Sequence, residues 1–451
     1  MSSGNSSTVS SQRNAFARFF KSEATSSILL LLCTIVALLW ANSSRSELYS
    51  HILQTKVGLS WGDSKFALSL HHWINDGLMT LFFFIVGLEI KREIVVGQLS
   101  SFKKAVLPVA AAVGGMIVPA LIYLSLNAGS EGARGWGIAM ATDIAFAIGI
   151  LSLLGSRVPV GLKLFLTALA ITDDLGAVLV IAVFYTDHIR VGALFAAAVF
   201  LALLVVAQRL GIRLASVYAV LAIGVWVAIV MSGVHATVAG ILVAMVVPVR
   251  PRIEPKKFLS IARDRIGTLE NNLASESTTL VREQIDAIET LHIATKDVIP
   301  AGLSFEHYLH PVTAYVIIPL FALFNAGVAV NAGVVSALVN PVSLGVLMGL
   351  FVGKQVGVTL ASWIAIRLRA AEMPPGVTWG QIYGAAILAG IGFTMSLFVA
   401  DLAFPSGTLV GPAKLGILAA STLAGVAGYG VLRIALRKGA KPANMPSSPL
   451  H

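Results

Sequence analysis

The chain contains little charge and almost no cysteine. Only 12% of its 451 residues are charged, whereas soluble domains carry about 25%. The single cysteine, Cys33, excludes an intramolecular disulfide. Hydrophobic residues make up 57% of the sequence, and their long runs are too frequent for a soluble enzyme with one buried core. The composition predicts an all-α polytopic membrane protein that is embedded in membrane lipids.

Twelve apolar segments are predicted to be transmembrane helices. A run of twenty-odd helical residues is roughly 30 Å long, which is about the thickness of the hydrocarbon core. The segments are residues 28–41, 74–98, 105–126, 136–153, 163–185, 191–208, 214–231, 235–249, 310–330, 342–369, 380–402 and 411–436. The first could also be the core of a signal peptide, but Trp40-Ala41-Asn42-Ser43 is a poor cleavage site.

The basic residues favour twelve spans with both termini in the cytoplasm. In that topology 25 of the 32 Lys and Arg residues lie in cytoplasmic segments, six lie outside, and Lys354 lies within a span. This asymmetry follows the positive-inside rule. The net charge of +10 is thereby explained without nucleic acid as a partner. The predicted domains are the cytoplasmic tail 1–27, spans 28–249, a cytoplasmic insertion 250–305, spans 306–436 and the cytoplasmic tail 437–451.

Two polar segments interrupt the apolar pattern. Residues 57–70 alternate in polarity around Gly62-Asp63-Ser64, which predicts a small outer β-hairpin. An isolated hairpin is marginally stable in water, so we expect it to pair with something, such as another subunit. Within 250–305, apolar residues recur at helical spacing around Ser275–Thr279, which predicts two amphipathic helices.

A small set of ionisable residues lies deep within predicted spans. The set comprises Asp76, Glu89, Asp143, Asp173, Asp174 and Lys354. Each charge at the bilayer centre costs about 2.5–3.5 kcal/mol, so Lys354 requires a carboxylate partner, and the adjacent pair Asp173 and Asp174 is the natural candidate. Neighbouring helical residues point about 100° apart, so one carboxylate can face Lys354 while the other faces a cavity. Alternatively, Lys354 snorkels to an interface, or the carboxylates serve only helix packing.

Two predicted spans contain interruptions near their middle. Glycines flank Ala141-Thr142-Asp143 in one, and Gly390-Ile-Gly-Phe-Thr394 lies in the other. Interrupted helices expose carbonyl oxygens and half-helix ends, which suit a hard cation. Each is the middle helix of three, and the two trios enter from opposite sides, which indicates an inverted repeat. We therefore expect the broken helices to cross at mid-membrane. Glycines that serve only close packing are the alternative.

A series of motifs resembles the NhaA family of bacterial sodium/proton antiporters. The motifs are FFFIVGLEIKRE (82–93), ATDIAF (141–146), ITDDLG (171–176), GVHAT (233–237), LHP (309–311), NAG (325–327), GK (353–354) and GIGFT (390–394). They run in family order across about residues 28–250 and 305–436. The resemblance implies a twelve-helix protein of the bacterial inner membrane, and a homodimer held partly by the outer hairpin.

The resemblance also implies roles for individual residues. Asp173 and Asp174 would be the sodium ligands and proton carriers, and Lys354 would pair with Asp173 when the ion is absent. Thr142 and Asp143 would complete the crossing region. A further group would take part in the pH response: Glu89, Arg92, Glu93, His235 and Glu306. His235 and Glu306 would belong to the same regulatory surface.

These observations predict a secondary transporter rather than an enzyme. It would export sodium, and lithium, in electrogenic and pH-regulated exchange for protons, with cation and protons competing for the Asp pair during alternating access. No cofactor is expected, because sodium or lithium and protons are substrates. Two alternatives remain: a channel or sodium-coupled transporter of another solute, and an intramembrane aspartyl protease using Asp143 and Asp173, although no Gly-x-Gly-Asp motif occurs.

Overall fold

The computed structural model describes residues 25–61, 64–186, 189–212, 215–272, 282–328, 334–405 and 407–438. Most of the predicted N-terminal tail, the hairpin tip at 62–63, the polar segment around Ser275–Thr279 and the chain from 439 onward lie outside these residues. The described residues are mostly helical, and they include one two-stranded antiparallel sheet.

The elements are labelled in chain order. The α-helices are α1 Thr25–Ala41, α2 Ser46–Gln54, α3 Leu70–His72, α4 Met79–Val95, α5 Phe102–Asn127, α6 Ile144–Leu153, α7 Val160–Phe184, α8 Val191–Arg209, α9 Ala215–Ser232, α10 Thr237–Val246, α11 Pro255–Asn272, α12 Arg282–Val298, α13 Ala301–Val312, α14 Ile318–Asn325, α15 Val334–Val339, α16 Pro341–Met348, α17 Lys354–Arg367, α18 Trp379–Leu388, α19 Phe393–Ala403 and α20 Val410–Lys438. The strands are β1 Lys56–Trp61 and β2 Ser64–Ser69. The remaining helical segments are the 3-10 helices Gln98–Ser100, Glu131–Met140 and Gly155–Arg157 and the π-helical segments Trp73–Leu78, Thr313–Ile317 and Gly349–Gly353.

The long helices identify a multi-pass membrane protein. Within the described ranges, six helical runs are long and apolar enough to cross a membrane, and the number reaches eight if each of two bent pairs is one span. The six are Phe102–Asn127, Val160–Phe184, Val191–Arg209, Ala301–Asn325, Pro341–Arg367 and Val410–Arg437. Shorter apolar helices are α1, α9 and α10, and α4 has 17 residues.

The two bent pairs occur where the sequence predicts interruptions. The 3-10 helix Glu131–Met140 meets α6 at 41°, and α18 meets α19 at 44°. Asp143 caps α6, because its side chain accepts a hydrogen bond from the amide of Phe146 at 3.1 Å. Short polar side chains at this position satisfy the amides that a helix start leaves unpaired. The prediction of two broken helices is confirmed.

The small sheet is the predicted hairpin. β1 and β2 pair antiparallel, with Val57 opposite Leu68. The indole N–H of Trp73 donates a hydrogen bond to the carbonyl of Val57 at 2.9 Å. The hairpin is thereby attached to the helical run that begins with α3 and continues into α4. We call this end of the molecule the hairpin side.

Close backbone contact between α5 and α17 places Lys354 inside the bundle. A Cβ atom on Gly114 or on Gly357 would run into the backbone of the other helix. One residue further along α5, a Cβ on Gly115 would lie 3.8 Å from Nζ of Lys354. Glycine therefore permits this approach, and the lysine side chain lies directly against α5.

The segment 250–305 contains α11 and α12, which contact each other. Ala287 and Ala294 of α12 are buried, whereas Ile266 of α11 and Ile288 of α12 are about half exposed, at 47% and 45%. α12 thus combines buried and exposed apolar positions, whereas the described apolar residues of α11 are partly or largely exposed. Their cytoplasmic location remains a prediction.

Candidate functional site

A buried ion pair joins α7 to α17. Nζ of Lys354 lies 2.6 Å from Oδ2 of Asp173, and both side chains have an exposed fraction of 0%. Lys354 is the first residue of α17 and follows the π-helical segment Gly349–Gly353 directly. Such local widenings of a helix are frequent at functional sites. The pair compensates a lysine charge that would otherwise be buried without a partner.

Asp174 lies beside this pair and is also buried, with 2% of its surface exposed. Its carboxyl group makes no hydrogen bond or ion pair with the parts of the chain that the structure describes. The charges that act on it include the carboxylates of Asp173, Asp143 and Glu89 and the ammonium group of Lys354. Oδ1 of Asp173 likewise accepts no hydrogen bond within the described residues. Two neighbouring acids therefore have oxygen atoms available to a cation or to protons.

The two broken helices contact each other at their interruptions. The amide of Asp143 donates to the carbonyl of Ile391 at 2.6 Å, and the hydroxyl of Thr142 donates to the carbonyl of Ala389 at 2.8 Å. In return, Thr394 donates its amide N–H, at 3.0 Å, and its hydroxyl to Oδ2 of Asp143. Each interruption thus satisfies backbone groups that the other leaves unpaired, which a membrane interior requires.

Glycine is required at this junction. A Cβ on Gly392 would lie 2.9 Å from the carbonyl oxygen of Ala141. That oxygen belongs to the backbone and cannot rotate away as a flexible side chain would. The contact explains why the GIGFT segment has glycine at this position.

Chemically, the site offers carboxylate oxygens and backbone dipoles in a dry interior. Hard cations such as sodium prefer oxygen ligands, and half-helix ends provide partial charges. Among the described residues, no group of three or more His, Cys, Asp or Glu side chains is arranged to hold a metal ion.

Four of the five predicted pH-response residues lie together. Arg92 forms ion pairs with Glu306 at 3.1 Å and with Glu93 at 3.7 Å. Glu93 also accepts a hydrogen bond from the amide of Gln98 at 2.7 Å. The charges of Arg92, Glu93 and Glu306 all act on Glu89. The C-terminal part of α4 and the middle of α13 are thus joined by one charged cluster.

His235 lies elsewhere. Its Nε2 is 2.6 Å from the carbonyl oxygen of Tyr185, and its charge acts on Asp76. Asp76 precedes Arg92 by sixteen residues on the same helical run, a distance of about 24 Å. The expectation that His235 and Glu306 share one surface is therefore wrong. α10 runs alongside α4, so its start and its end lie near opposite ends of that helix.

The other end of α10 supports this placement. Nζ of Lys91, which neighbours Arg92, donates to the carbonyls of Met245 at 2.6 Å and of Val247 at 2.5 Å. The end of α10 therefore lies near the charged cluster, and the start of α10, with His235, lies near Asp76.

Sequence reasoning assigned no role to Thr394 or to Asp401. Thr394 lies within the GIGFT segment, so the motif contained the signal, but nothing indicated that its hydroxyl would bind Asp143. Asp401 lies at the end of α19, where a charge is ordinarily a solvated helix end. The structure instead buries it in a second polar cluster on the hairpin side.

Comparison with known proteins agrees with this geometry. The family model described as Na+/H+ antiporter 1 matches residues 17–432. Among the relatives named Na+/H+ antiporter NhaA, that of Oleidesulfovibrio alaskensis is 48% identical over 423 residues, which is 94% of both chains. That of Sulfurimonas denitrificans is 47% identical over 431 residues, covering 95% of this chain and 96% of the relative. That of Koribacter versatilis is 47% identical over 418 residues, with 92% and 90% covered. A match across nearly the whole chain, including both broken helices and the buried ion pair, shows that the chain belongs to the Na+/H+ antiporter 1 family.

Proposed function

We propose that the chain exchanges sodium, and lithium, for protons and that Asp173 and Asp174 bind both. Membership of the family makes it a secondary transporter rather than an enzyme, without a cofactor, because the ions are the transported substrates. One observation carries the proposal: the buried Lys354–Asp173 pair lies next to Asp174, which has no partner within the described residues.

The exchange follows because sodium and protons compete for the carboxylates of Asp173 and Asp174. Two adjacent carboxylates in a low dielectric repel each other, which favours keeping protons on them. A sodium ion supplies the compensating charge and displaces those protons. Sodium also competes with Lys354 for Asp173, so that Lys354 is released from the pair and takes part in proton exchange.

The exchange is electrogenic in this scheme. If two protons enter for each sodium ion that leaves, one net charge crosses the membrane per cycle. The membrane potential then contributes about 2.3 kcal/mol per 100 mV to sodium extrusion. A one-for-one exchange would gain nothing from the potential.

Alternating access requires two bodies that move relative to each other. We propose twelve spans: the eight runs and bent pairs described above, together with α1, α4 with its preceding π-helical segment, α9 and α10. One bent pair lies between α5 and α7 and the other between α17 and α20. That order supports an inverted repeat whose broken helices rock around the fixed site.

The cellular setting completes the proposal. The chain lies in the bacterial inner membrane with both termini in the cytoplasm, as the distribution of basic residues favours. The hairpin side then faces outward and contributes to a homodimer. The cluster of Glu89, Arg92, Glu93 and Glu306 faces the cytoplasm and adjusts transport to pH, with His235 contributing from the other end of α10.

Exchange in proteoliposomes tests the proposal. Sodium-driven proton movement is measured for the parent, for Asp174→Asn and for Asp264→Asn, which makes the same change at a carboxylate with 72% of its side chain exposed. We expect Asp174→Asn to lose exchange and Asp264→Asn to retain it. Persistent exchange in Asp174→Asn would refute the proposed site.

A further inference from the structure

Asp401 is the centre of a second polar cluster, on the hairpin side. Its Oδ1 lies 3.1 Å from Nζ of Lys414, and both side chains have an exposed fraction of 11%. Its Oδ2 lies 3.6 Å from Nε2 of His71, whose side chain is 37% exposed. The three residues come from α19, α20 and α3, so the carboxylate connects three separate elements.

Asn75 extends the cluster into the bundle. Its amide donates to Oδ2 of Asp401 at 3.3 Å, and it exchanges hydrogen bonds with Asn325 at 2.9 and 3.3 Å. Asn75 and Asn325 are 7% and 1% exposed. Asp401 therefore connects the end of α19 to the π-helical segment Trp73–Leu78 and, through it, to α14.

The position of Asp401 relates it to the ion site. It follows Thr394 by seven residues, so the two lie on the same face of α19, two turns apart. Thr394 binds the other broken helix at the site, and Asp401 binds α3 and the π-helical segment near the surface. A cavity of about 550 Å³ lies beside it, lined by residues that include His71, Asp401 and Lys414.

We propose that Asp401, His71 and Asn75 form a clasp that closes the hairpin side and that must part whenever the ion site opens toward that side. This inference rests on the proposed function, because only alternating access requires α19 to move relative to α3 and α4. If the contact served only packing, exchange would continue after the contact had been immobilised. If it is a clasp, immobilising it would block exchange. Asp401 is thus a positioning residue for transport and does not itself contact the ion at the central site.

His71 lies among several charged and titratable groups of the clasp. The charged groups around His71 are Asp401 on α19, Lys414 on α20, and His72 and Asp76 on its own helical run. Burial raises the pKa of Tyr49 on α2 to about 12, so this neighbour stays neutral. Nε2 of His71 lies 3.2 Å from the amide nitrogen of Asn75, so the same ring nitrogen faces both Asn75 and the carboxylate of Asp401.

A reversible cross-link tests the clasp. In a Cys33→Ser background, His71→Cys with Asp401→Cys places thiols on both sides of the clasp. Asp401→Cys with Lys414→Cys joins α19 to α20, both of which belong to the same repeat. A short bifunctional methanethiosulfonate reagent links each pair, and a thiol reductant releases it. Because both pairs contain Asp401→Cys, exchange measured before linking accounts for that substitution.

We expect the link between residues 71 and 401 to reduce exchange at least tenfold, with recovery after reduction, and the link between 401 and 414 to leave it unchanged. Exchange that continues through the first link overturns the clasp. An uncross-linked parent without exchange would instead contradict the proposed function, so the two failures are distinguishable.

Thiol labelling provides a second measurement that does not depend on transport. Leu397 is fully buried one turn below Asp401, and Leu397→Cys in the Cys33→Ser background reports opening to a membrane-impermeant maleimide. Asp401→Asn should accelerate labelling from the hairpin side several-fold. Glu47→Gln, at an exposed position of α2, serves as control. Equal labelling rates in Asp401→Asn and the control would refute the clasp.

Discussion

Asp143 and Thr394 connect the two broken helices through a shared carboxylate. Oδ2 of Asp143 accepts hydrogen bonds from the amide and the hydroxyl of Thr394, while Oδ1 accepts from the amide of Phe146. Both oxygens of this acid are thus engaged in fixing the junction. Asp173 and Asp174 retain oxygens without hydrogen bonds in the described residues, so the acids near the junction have different tasks.

The hydroxyl of Thr394 should contribute measurably to stability. Thr394→Val keeps the shape and the amide donor but removes the hydroxyl bond to a carboxylate, which is worth about 1.5–3 kcal/mol. Thermal unfolding in detergent should show a lower midpoint for this variant, whereas Thr394→Ser, which keeps the donor, should stay close to the parent. Equal midpoints for Val and Ser would contradict the assigned contact.

Removing one partner of the buried ion pair should destabilise the protein more than replacing both partners. Lys354→Met leaves Asp173 buried without its partner, which costs about 3–5 kcal/mol when the acid stays charged. The double variant Lys354→Met/Asp173→Asn should regain most of that stability but not the exchange. Unfolding and transport are measured on the same preparations. Additive losses of stability in the double variant would argue against direct coupling between the two side chains.

The glycine at the junction should be irreplaceable. In Gly392→Ala the added Cβ would meet the carbonyl of Ala141, so we expect lower thermal stability and loss of exchange. Gly430 lies in the interior of α20 with open space where a Cβ would go. Gly430→Ala should leave exchange intact and raise stability by about 0.5–1 kcal/mol through the higher helix propensity of alanine. Full activity in Gly392→Ala would show that the junction adapts.

The Arg92 cluster should set the pH dependence of exchange. Arg92→Gln removes the guanidinium group that lies 3.1 Å from Glu306, and a carboxylate without its cation releases its proton less readily. The pH of half-maximal exchange should therefore move to a higher value. Arg265→Gln removes a similar charge from an exposed pair with Asp264 on α11 and should not move it. The pH profile of sodium-driven proton movement distinguishes the two outcomes.

The hairpin should matter for assembly more than for transport. Its strands are attached to the α3–α4 run by the Trp73–Val57 hydrogen bond, and the ion pair of the site lies on α7 and α17. Replacing Gly58–Ala67 by a short Gly-Ser linker should shift the dimer to monomer in native mass spectrometry. The monomer should still exchange ions in vesicles. A dimer that persists without the hairpin would locate the interface elsewhere.

Local signals made much of the fold predictable. The hairpin followed from two alternating runs around Gly62-Asp63-Ser64, and both interruptions followed from glycines inside apolar runs. The partner of Lys354 could be anticipated because an ammonium group within a bilayer has few alternatives. In each case a short stretch of sequence differed in character from its surroundings. The free-energy cost of unpaired polar groups in a membrane then left few structures that could accommodate it.

Long-range relationships could not be predicted. Asp401 lies near the end of α19 and Lys414 in the first turns of α20, where charges are ordinarily solvated, and only the three-dimensional arrangement brings His71 to them. His235 was grouped with Glu306 because the resemblance implied it, and nothing in the sequence states the direction in which α10 runs along α4. Pair contacts between distant segments depend on packing, which a one-dimensional pattern does not encode.

The separation of the contacting residues along the chain has a consequence for biogenesis. Asp143 and Thr394 are 251 residues apart, and Asn75 and Asn325 are 250 apart. At 5–20 residues per second, a ribosome needs roughly 12–50 s to synthesise the second partner after the first. During that time the first half of the protein holds its acids in the membrane without their partners. The junction between the broken helices and the Lys354–Asp173 pair can therefore form only after the later helices have been synthesised.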